Sequence, residues 1–199
     1  MQNIKNFSLV DATPELLKKI KNTENTVGAL FLESENGLDW YEAQKLFSDN
    51  TVKIQYNSDG VIISVVDAPV PERGNIYAVS MLWPVGCSVT EIAIEDYPAG
   101  VTLDGTWKFN SDTHSVYQDA DTVAARVLSK NTSLRAKYAS DAVLSITALQ
   151  AGIALNRSVE GDGDALTAWQ NYLCDLRSMT PTDLQQSPVA FPAAPANIW

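Results

Sequence analysis

His114 is the only histidine in this chain of 199 residues, so it limits the catalytic sites that the sequence can build. Ser-His-Asp and Cys-His arrangements need a histidine, and multi-histidine metal sites need more than one. Asp112 stands two residues before His114, within a stretch typical of a hairpin turn. We therefore expect His114 to be exposed to solvent and to have no catalytic role.

The acidic residues do not define a catalytic or metal site either. The chain has 24 Asp and Glu residues, and paired carboxylates can hydrolyse glycosides, but the sequence singles out no pair. Two acidic turns, at residues 57–60 and 162–164, lack the glutamate that completes an EF-hand calcium loop. No glycine-rich phosphate-binding motif follows a predicted strand. The sequence therefore predicts no enzyme, no cofactor and no metal.

Charge and hydropathy exclude two classes of partner. With 14 Lys and Arg residues the formal charge is −10, which repels nucleic acid and anionic membrane surfaces. No apolar run reaches the roughly 18 residues of a membrane span, and the first residues do not resemble a signal peptide. Cys87 and Cys174 fit free, half-buried thiols in a reducing compartment. We expect a cytoplasmic globular protein that binds neither nucleic acid nor membranes.

The aromatic residues Trp40 and Tyr41, followed by Phe47, can form a core or contact a partner. The surrounding residues predict a strand, in which neighbouring side chains point to opposite faces of the sheet. A core on one side then buries only one of the two adjacent rings. The other ring needs a second layer or a binding partner.

The elements around these aromatics have the pattern of β-hairpins. The apolar runs at 29–34 and 38–44 flank one turn, and those at 51–56 and 61–66 flank another. Each pair predicts a hairpin, because β-branched and aromatic residues surround a glycine-containing turn. The run at 61–66 is apolar nearly throughout and needs cover on both faces. A short helix is predicted before the hairpins, at 14–21.

The predicted fold class is α+β. A stretch rich in Pro and Gly at residues 67–74 marks a break, and the last apolar runs before residue 118 predict one more hairpin. The predicted parts are an N-terminal β-meander domain at 1–70, a linker and small second β unit at 71–118, a C-terminal helical region at 119–180, and an extended Pro-rich tail at 181–199.

The helical region has a long apolar stripe. Residues 119–156 contain no proline and predict one long helix, and residues 164–177 predict a second helix that packs against it in antiparallel fashion. The shorter helix cannot cover the whole stripe, so we expect the remainder to mediate self-association. The predicted oligomerisation residues are Val123, Val127, Leu134, Tyr138, Ile146, Leu149 and Ile153. In the extended tail, only Phe191 and Trp199 are expected to anchor the chain.

Several of these residues occur in a recognisable order. The string Asp-Trp-Tyr-Glu-Ala-Gln-Lys-Leu-Phe at 39–47 resembles the N-terminal signature of the tail fibre assembly proteins of Mu-like and P2-like bacteriophages. A tyrosine-turn-Gly-Val-Ile-Ile hairpin follows in that family, and here it spans residues 56–63. Leu-Thr-Ala-Trp-Gln-Asn-Tyr at 166–172 and Pro-Val-Ala-Phe-Pro at 188–192 are similar to the family's closing helix and tail.

The resemblance implies a chaperone that needs no ATP. Its partner would be the trimeric tail fibre protein, bound at the C-terminal receptor-binding region, whose folding and assembly it promotes in the host bacterial cytoplasm. Interwoven β-structure exposes apolar surface and strand edges while it folds, and such intermediates aggregate unless they are masked. The resemblance leaves open that the protein stays on the fibre tip.

Two alternatives to a chaperone also remain. One is a small structural protein of the virion or fibre tip, and the other is a hydrolase of cell-surface glycans. Under the chaperone hypothesis, the contact surface should lie where the family string is densest. The predicted partner-binding residues are Phe31, Trp40, Tyr41, Gln44 and Phe47.

Overall fold

The computed structural model describes residues 1–18, 30–67 and 78–196. The chain divides into two units, Met1–Asp119 and Ala120–Trp199. We call them the sheet unit and the helical unit. The first contains antiparallel β-structure and the second contains helices, which confirms the predicted α+β class.

The sheet unit is built on five antiparallel strands in the order β2-β1-β5-β3-β4. A helix, α1 (Pro14–Lys18), follows the first strand and agrees with the start of the helix predicted there, whose remainder lies outside the described residues. The strands are β1 (Asn3–Val10), β2 (Phe31–Glu33), β3 (Thr51–Tyr56), β4 (Ile62–Val66) and β5 (Cys87–Ala93).

Strand β1 was not expected from the sequence. Ile4 and Phe7 are both buried although three positions separate them, which breaks the two-residue alternation of a regular strand. A β-bulge between them makes this possible, with Asn6 at a φ of 53° and its amide N–H donating to Ser88 Oγ. An extra residue in one strand re-aims the side chains that follow it.

The hairpin predicted at residues 51–66 is confirmed. Strands β3 and β4 pair from Lys53 opposite Val66 to Tyr56 opposite Ile62. Gly60 closes the turn at a φ of +78°, and a Cβ there would lie 2.7 Å from the backbone oxygen of Phe109. Only glycine fits this combination of a left-handed backbone and a close approach.

The hairpin predicted at residues 29–44 forms only at its turn, where Glu33 and Asp39 make a single antiparallel bridge, and its second strand is wrong. After β2, the chain forms a helix, α2 (Trp40–Ala43), which continues as a 3₁₀ turn, Gln44–Leu46. Asp39 caps the helix, since its Oδ1 accepts a hydrogen bond of 3.2 Å from the Glu42 amide. The residues after the aromatic pair, Glu-Ala-Gln-Lys-Leu, are good helix formers, so local propensity and the cap outweigh the strand pattern.

Two further expectations for the sheet need correction. Strand β4 lies at an edge and is covered on both faces only in part: Val65 and Val66 pack against different hydrophobic clusters, whereas Ile63 is 45% exposed. Strand β5 returns to the main sheet between β1 and β3 rather than forming a separate second unit. Of the residues beyond 70, only β6 (Trp107–Asn110) and β7 (Ser115–Gln118) form the predicted extra hairpin. Most of the predicted linker at 67–74 lies outside the described residues.

Two hydrophobic clusters stabilise the sheet unit. One packs α2 against strands β1, β2 and β5, and its members include Phe7, Leu32, Trp40, Phe47 and Val89. The other packs the β6–β7 hairpin against β3 and β4, and its members include Ile54, Tyr56, Ile62, Phe109 and Val116.

The helical unit confirms both predicted helices. Helix α3 (Ala120–Ala154) runs unbroken, and α4 (Asp162–Ser178) packs against it. Gly161, at a φ of 95°, precedes α4. Their shared core contains Ala142, Leu149, Trp169, Tyr172 and Leu176, with Leu166 and Leu173 partly buried beside them.

The tail is not simply extended. A short helix, α5 (Pro181–Leu184), begins with a capping box between Thr180 and Asp183, and Leu184 is only 2% exposed. Buried Asn131 of α3 donates to the backbone oxygens of Leu184 (2.8 Å) and Gln186 (3.1 Å). Phe191 is an anchor, as predicted, whereas Trp199 lies outside the described residues.

Candidate functional site

Four of the five predicted partner-binding residues are buried in the sheet unit. Trp40 is 1% exposed and makes edge contacts with Phe7 (ring centroids 5.1 Å apart) and Phe47 (6.4 Å). Phe31 and Phe47 are buried as well, and so is Gln44, which we expected at an exposed rim. These four side chains therefore hold α2 to the sheet and offer no surface to a partner.

Tyr41 is the exception, with 48% of its surface exposed. The two neighbouring aromatics do separate, one inward and one outward, but a helix and not a strand separates them. Consecutive side chains on a helix are about 100° apart, which turns Tyr41 away from the core that receives Trp40.

A second exposed aromatic lies beside Tyr41, and the sequence did not identify it. Trp83 is 39% exposed, and its ring centroid is 6.4 Å from that of Tyr41, at an interplanar angle of 52°. The Tyr41 hydroxyl donates to the backbone oxygen of Leu30, a residue that is 56% exposed. Buried Phe31 contacts the Tyr41 ring from below, at 6.2 Å. We call Tyr41 and Trp83, together with the exposed aliphatic Leu30 beside them, the aromatic patch.

A tight loop presents Trp83. The Cys87 amide donates to Pro84 O (3.0 Å), and the Gly86 amide donates to Phe7 O (2.8 Å), which ties the loop to β1. Leu82, one residue earlier, is buried. The only local signal for an exposed ring is the Trp-Pro-Val-Gly sequence itself, because Pro and Gly favour a turn.

A buried carboxylate, that of Asp39, lies two residues before Tyr41 in the chain. Asp39 is 4% exposed, and its Oδ2 has no hydrogen-bond partner among the described residues, whereas Oδ1 caps α2. Burial raises the pKa of Tyr41, and the negative charge of Asp39 raises it further.

Charge is divided unequally between the two units. Residues 1–119 contain 17 Asp and Glu against 8 Lys and Arg, a net charge of −9. Residues 120–199 contain 7 against 6, a net charge of −1. Nearly all of the chain's negative charge therefore belongs to the unit that carries the aromatic patch.

His114 is not a freely exposed turn residue, contrary to expectation. It is half-buried at a φ of 52°, with Nε2 2.8 Å from Glu91 O and its ring edge-on to Phe109 at 5.3 Å. These contacts fasten the β6–β7 hairpin to β5 and give His114 a structural role. In the described part of the chain, no three His, Cys, Asp or Glu residues converge as a metal site would require.

Lys53 and Glu91 form a buried polar network that the sequence did not indicate. They pair across β3 and β5, and burial lowers the pKa of Lys53, whose Nζ donates to Thr51 O at 2.7 Å. Glu91 accepts from the amides of Gln2 (2.7 Å) and Ser48 (2.8 Å). All these partners belong to the sheet unit's own framework.

The predicted oligomerisation stripe is partly covered by the chain itself. Leu149 is buried, and Tyr138 and Ile146 pack in the core with α4. Val127 and Leu134 line a groove whose other wall is the tail, and the Tyr138 ring contacts Phe191 edge-on at 5.1 Å. Val123 is half-exposed, and Ile153 is 39% exposed.

Two other expectations concern the thiols and the membrane. Cys87 is buried in the sheet, whereas Cys174 on α4 is exposed and not half-buried. Both are free. Among the helices described, none combines the length and the hydropathy of a transmembrane segment.

Comparisons with known proteins agree with the resemblance seen in the sequence. A family model described as "Caudovirales tail fibre assembly protein, lambda gpK" matches residues 42–196. The tail fiber assembly protein U of Escherichia phage Mu is 28% identical over 86% of this chain and 89% of its own length. The probable tail fiber assembly protein of Escherichia phage P2 is 27% identical over the same shares. The family match begins at Glu42, one residue after Tyr41, and it includes Trp83 in the sheet unit and most of the helical unit. The chain belongs to the tail fibre assembly protein family of the Caudovirales.

Proposed function

We propose that this protein is a chaperone that binds a phage tail fibre protein and promotes its folding and trimer assembly without ATP. The observation on which the proposal depends is the exposed Tyr41–Trp83 pair, which lies beside the buried cluster of Trp40 and Leu82 in a member of this family. The proposed binding partner is the fibre's C-terminal receptor-binding region. The proposed place of assembly is the host bacterial cytoplasm.

An exposed pair of Tyr and Trp side chains is well suited to bind a partner. Tyr and Trp bury a large area on binding and lose little conformational entropy, which is why they are frequent at the centres of interfaces. Here the rings are supported by Phe31 below and by the anchored Trp83 loop, so the surface exists before the partner arrives. A preformed surface reduces the entropic cost of association.

The charge of the sheet unit supports the same role. A chaperone that masks apolar surface has to keep the complex from aggregating, and a high net charge opposes association between complexes. The net charge of −9 in residues 1–119 supplies this, whereas the patch itself is uncharged at its surface.

Co-expression tests the proposal directly. The fibre protein is expressed alone, with this chain, and with the double variant Tyr41→Ala/Trp83→Ala, and the yield of soluble trimer is measured. We expect the wild-type chain to raise the yield and the double variant to lose most of that effect. Ile94→Ala is the matched control, because Ile94 is 62% exposed on the same unit and follows the end of β5 opposite to the Trp83 loop.

The alternatives predict different results. If the chain leaves trimer yield unchanged but travels with purified particles in fixed copy number, it is a structural protein of the virion. Release of sugar from host glycans by the isolated chain would identify a hydrolase. A chaperone that raises yield and is also found on particles remains at the fibre tip after assembly.

We also propose that the free protein self-associates through the part of the α3 stripe that the tail now covers. Val127, Leu134 and Tyr138 face the tail segment that ends at Phe191, so a second copy has to displace that segment. Self-association should therefore be weak in the intact protein and stronger when the tail is loosened.

A further inference from the structure

We propose that the aromatic patch receives a Lys or Arg side chain of its partner, so that the fibre segment it recognises is basic as well as apolar. This inference rests on the proposed function, which supplies the fibre as partner, and adds the chemistry by which the partner is chosen. Three separate observations support it: the open geometry of the two rings, the unpartnered Oδ2 of buried Asp39 two residues before Tyr41, and the charge of the unit.

The ring geometry leaves aromatic faces available. Tyr41 and Trp83 are inclined at 52° with centroids 6.4 Å apart, so they form an open angle and not a closed stack. Each ring is more than one-third exposed. The face of an aromatic ring is negative and attracts an ammonium or guanidinium group within about 6 Å, most strongly on Trp.

The carboxylate of Asp39 strengthens this attraction. It is buried, its Oδ2 is unpartnered, and none of the described residues forms an ion pair with it. A buried charge without a counter-ion is costly, and a cation brought close to it recovers part of that cost. Asp39 lies two residues before Tyr41 in the chain, and its charge adds to burial in raising the pKa of the Tyr41 hydroxyl.

The overall charge selects the same class of partner. With 17 acidic and 8 basic residues, the sheet unit attracts basic segments and repels acidic ones at long range. A wholly apolar segment gains nothing from either the carboxylate or this field. Charge complementarity therefore favours a basic occupant over a purely apolar one.

The test uses the full-length chain and the fibre protein, with the chain labelled on exposed Cys174, which lies on the helical unit. The dissociation constant is measured by fluorescence anisotropy at 50 and 300 mM salt. Trp83→Leu keeps an apolar side chain but removes the π-face, Tyr41→Phe keeps the face but removes the hydroxyl, and Asp39→Asn keeps the helix cap but removes the charge. Thermal unfolding shows that each variant is folded.

The expected results separate the cation from apolar contact. Trp83→Leu should weaken binding about 5- to 30-fold, the range between an exposed and a desolvated cation–π contact. Tyr41→Phe should bind within about twofold of wild type. Asp39→Asn should bind more weakly at low salt and lose less affinity than wild type when salt is raised, because screening acts on the charge it lacks.

Three outcomes would overturn the inference. Binding of Trp83→Leu at wild-type strength, with Trp83→Ala defective, would show that the patch makes apolar contacts only, and the chaperone proposal would stand. Wild-type binding by both Trp83→Ala and Tyr41→Ala would move the interface elsewhere on the molecule. Failure of the unmodified chain to bind the fibre at all would reject the proposed function, and the inference with it.

Discussion

The two units of this protein leave different kinds of apolar surface open. The sheet unit buries Trp40 and Phe47 and exposes the aromatic pair Tyr41 and Trp83. The helical unit folds its tail against part of the α3 stripe and exposes aliphatic side chains, among them Leu144 and Leu155. The units also differ in charge, at −9 and −1. Apolar surface that stays exposed on an acidic unit can bind a partner. Apolar surface against which the chain's own tail packs contributes instead to the stability of the fold.

The difference also shows that a resemblance in sequence does not by itself identify an interface. Residues 39–47 form the string on which the resemblance was first based, yet Trp40, Gln44 and Phe47 are core residues. Their pattern is explained by the need to hold α2 against the sheet. The aromatic side chains that this packing leaves exposed are Tyr41, within the string, and Trp83, which is distant in sequence but lies beside Tyr41 in the fold.

The largest effect should follow from Trp40→Ala in the core of the sheet unit. Trp40 is 1% exposed and packs on Phe7 and Phe47, so its truncation leaves a large cavity and should cost about 3 to 5 kcal/mol of unfolding free energy. Urea denaturation monitored by circular dichroism measures it. Tyr41→Ala is the matched variant and should cost about 1 kcal/mol or less, because half of that ring is already exposed. Equal losses for the two variants would contradict the division into core and patch.

Substitution of two glycines, one in each unit, compares how closely other atoms pack around a turn in each unit. Gly60 and Gly161 both have positive φ, but a Cβ on Gly60 would lie 2.7 Å from Phe109 O, whereas a Cβ on Gly161 meets open space. Gly161→Ala should cost about 1 to 2 kcal/mol for the left-handed backbone alone. Gly60→Ala should cost about 2 to 4 kcal/mol, since the backbone of the β6–β7 hairpin has to shift as well. Thermal and urea unfolding of the two variants side by side would reveal the difference, and its absence would show that the hairpin yields easily.

The parts of the fold that the sequence predicts correctly are those with local signals. A turn with Gly60 between two apolar runs, and a proline-free stretch of good helix formers from residue 120, are local signals, and both elements form as predicted. The sequence does not indicate helix α2, because four residues carry little periodicity and its cap, Asp39, lies in a run with the pattern of a strand. Strand β1 was missed because the bulge at Asn6 breaks its alternation.

The site was harder to predict than the fold because exposure depends on contacts between distant segments. Nothing near Trp83 in the sequence indicates that it meets Tyr41, and nothing near Asn131 indicates that a polar residue inside a helix fixes the tail. Periodicity identified the α3 stripe correctly as apolar. It could not show that Phe191 returns to cover it.

Loosening the tail should make the helical unit resemble the sheet unit by opening its apolar surface. Asn131→Ala removes the donor to Leu184 O and Gln186 O and should cost about 1 to 2 kcal/mol. Light scattering should then detect dimers at concentrations where the wild type is a monomer. Ser133→Ala is the control, because that exposed hydroxyl bonds only to Ser129 O within the same helix. A destabilised variant that stays monomeric would argue against self-association through this face.

The smallest effect concerns the capping box that begins α5. Asp183 Oδ2 accepts hydrogen bonds from the amide and the hydroxyl of Thr180, both at 2.7 Å, and these hold the pKa of the Asp183 carboxyl below its ordinary value of 3.8. Because the pKa is lowered in the folded state, this contribution to stability is present above pH 3.8 and is lost as the pH falls through the lowered value.

An NMR pH titration of the Asp183 carboxyl measures this directly. The wild-type group should titrate below 3.8, and Thr180→Ala should move its pKa back toward that value, because both the hydroxyl donor and the geometry of the cap are weakened. Over the same acid range, the ring contact between Phe191 and Tyr138 should weaken, since α5 positions the segment that leads to Phe191. An ordinary titration in the wild type would mean that the capping box does not hold the tail, and the cover of the α3 stripe would then depend on Asn131 and Phe191 alone.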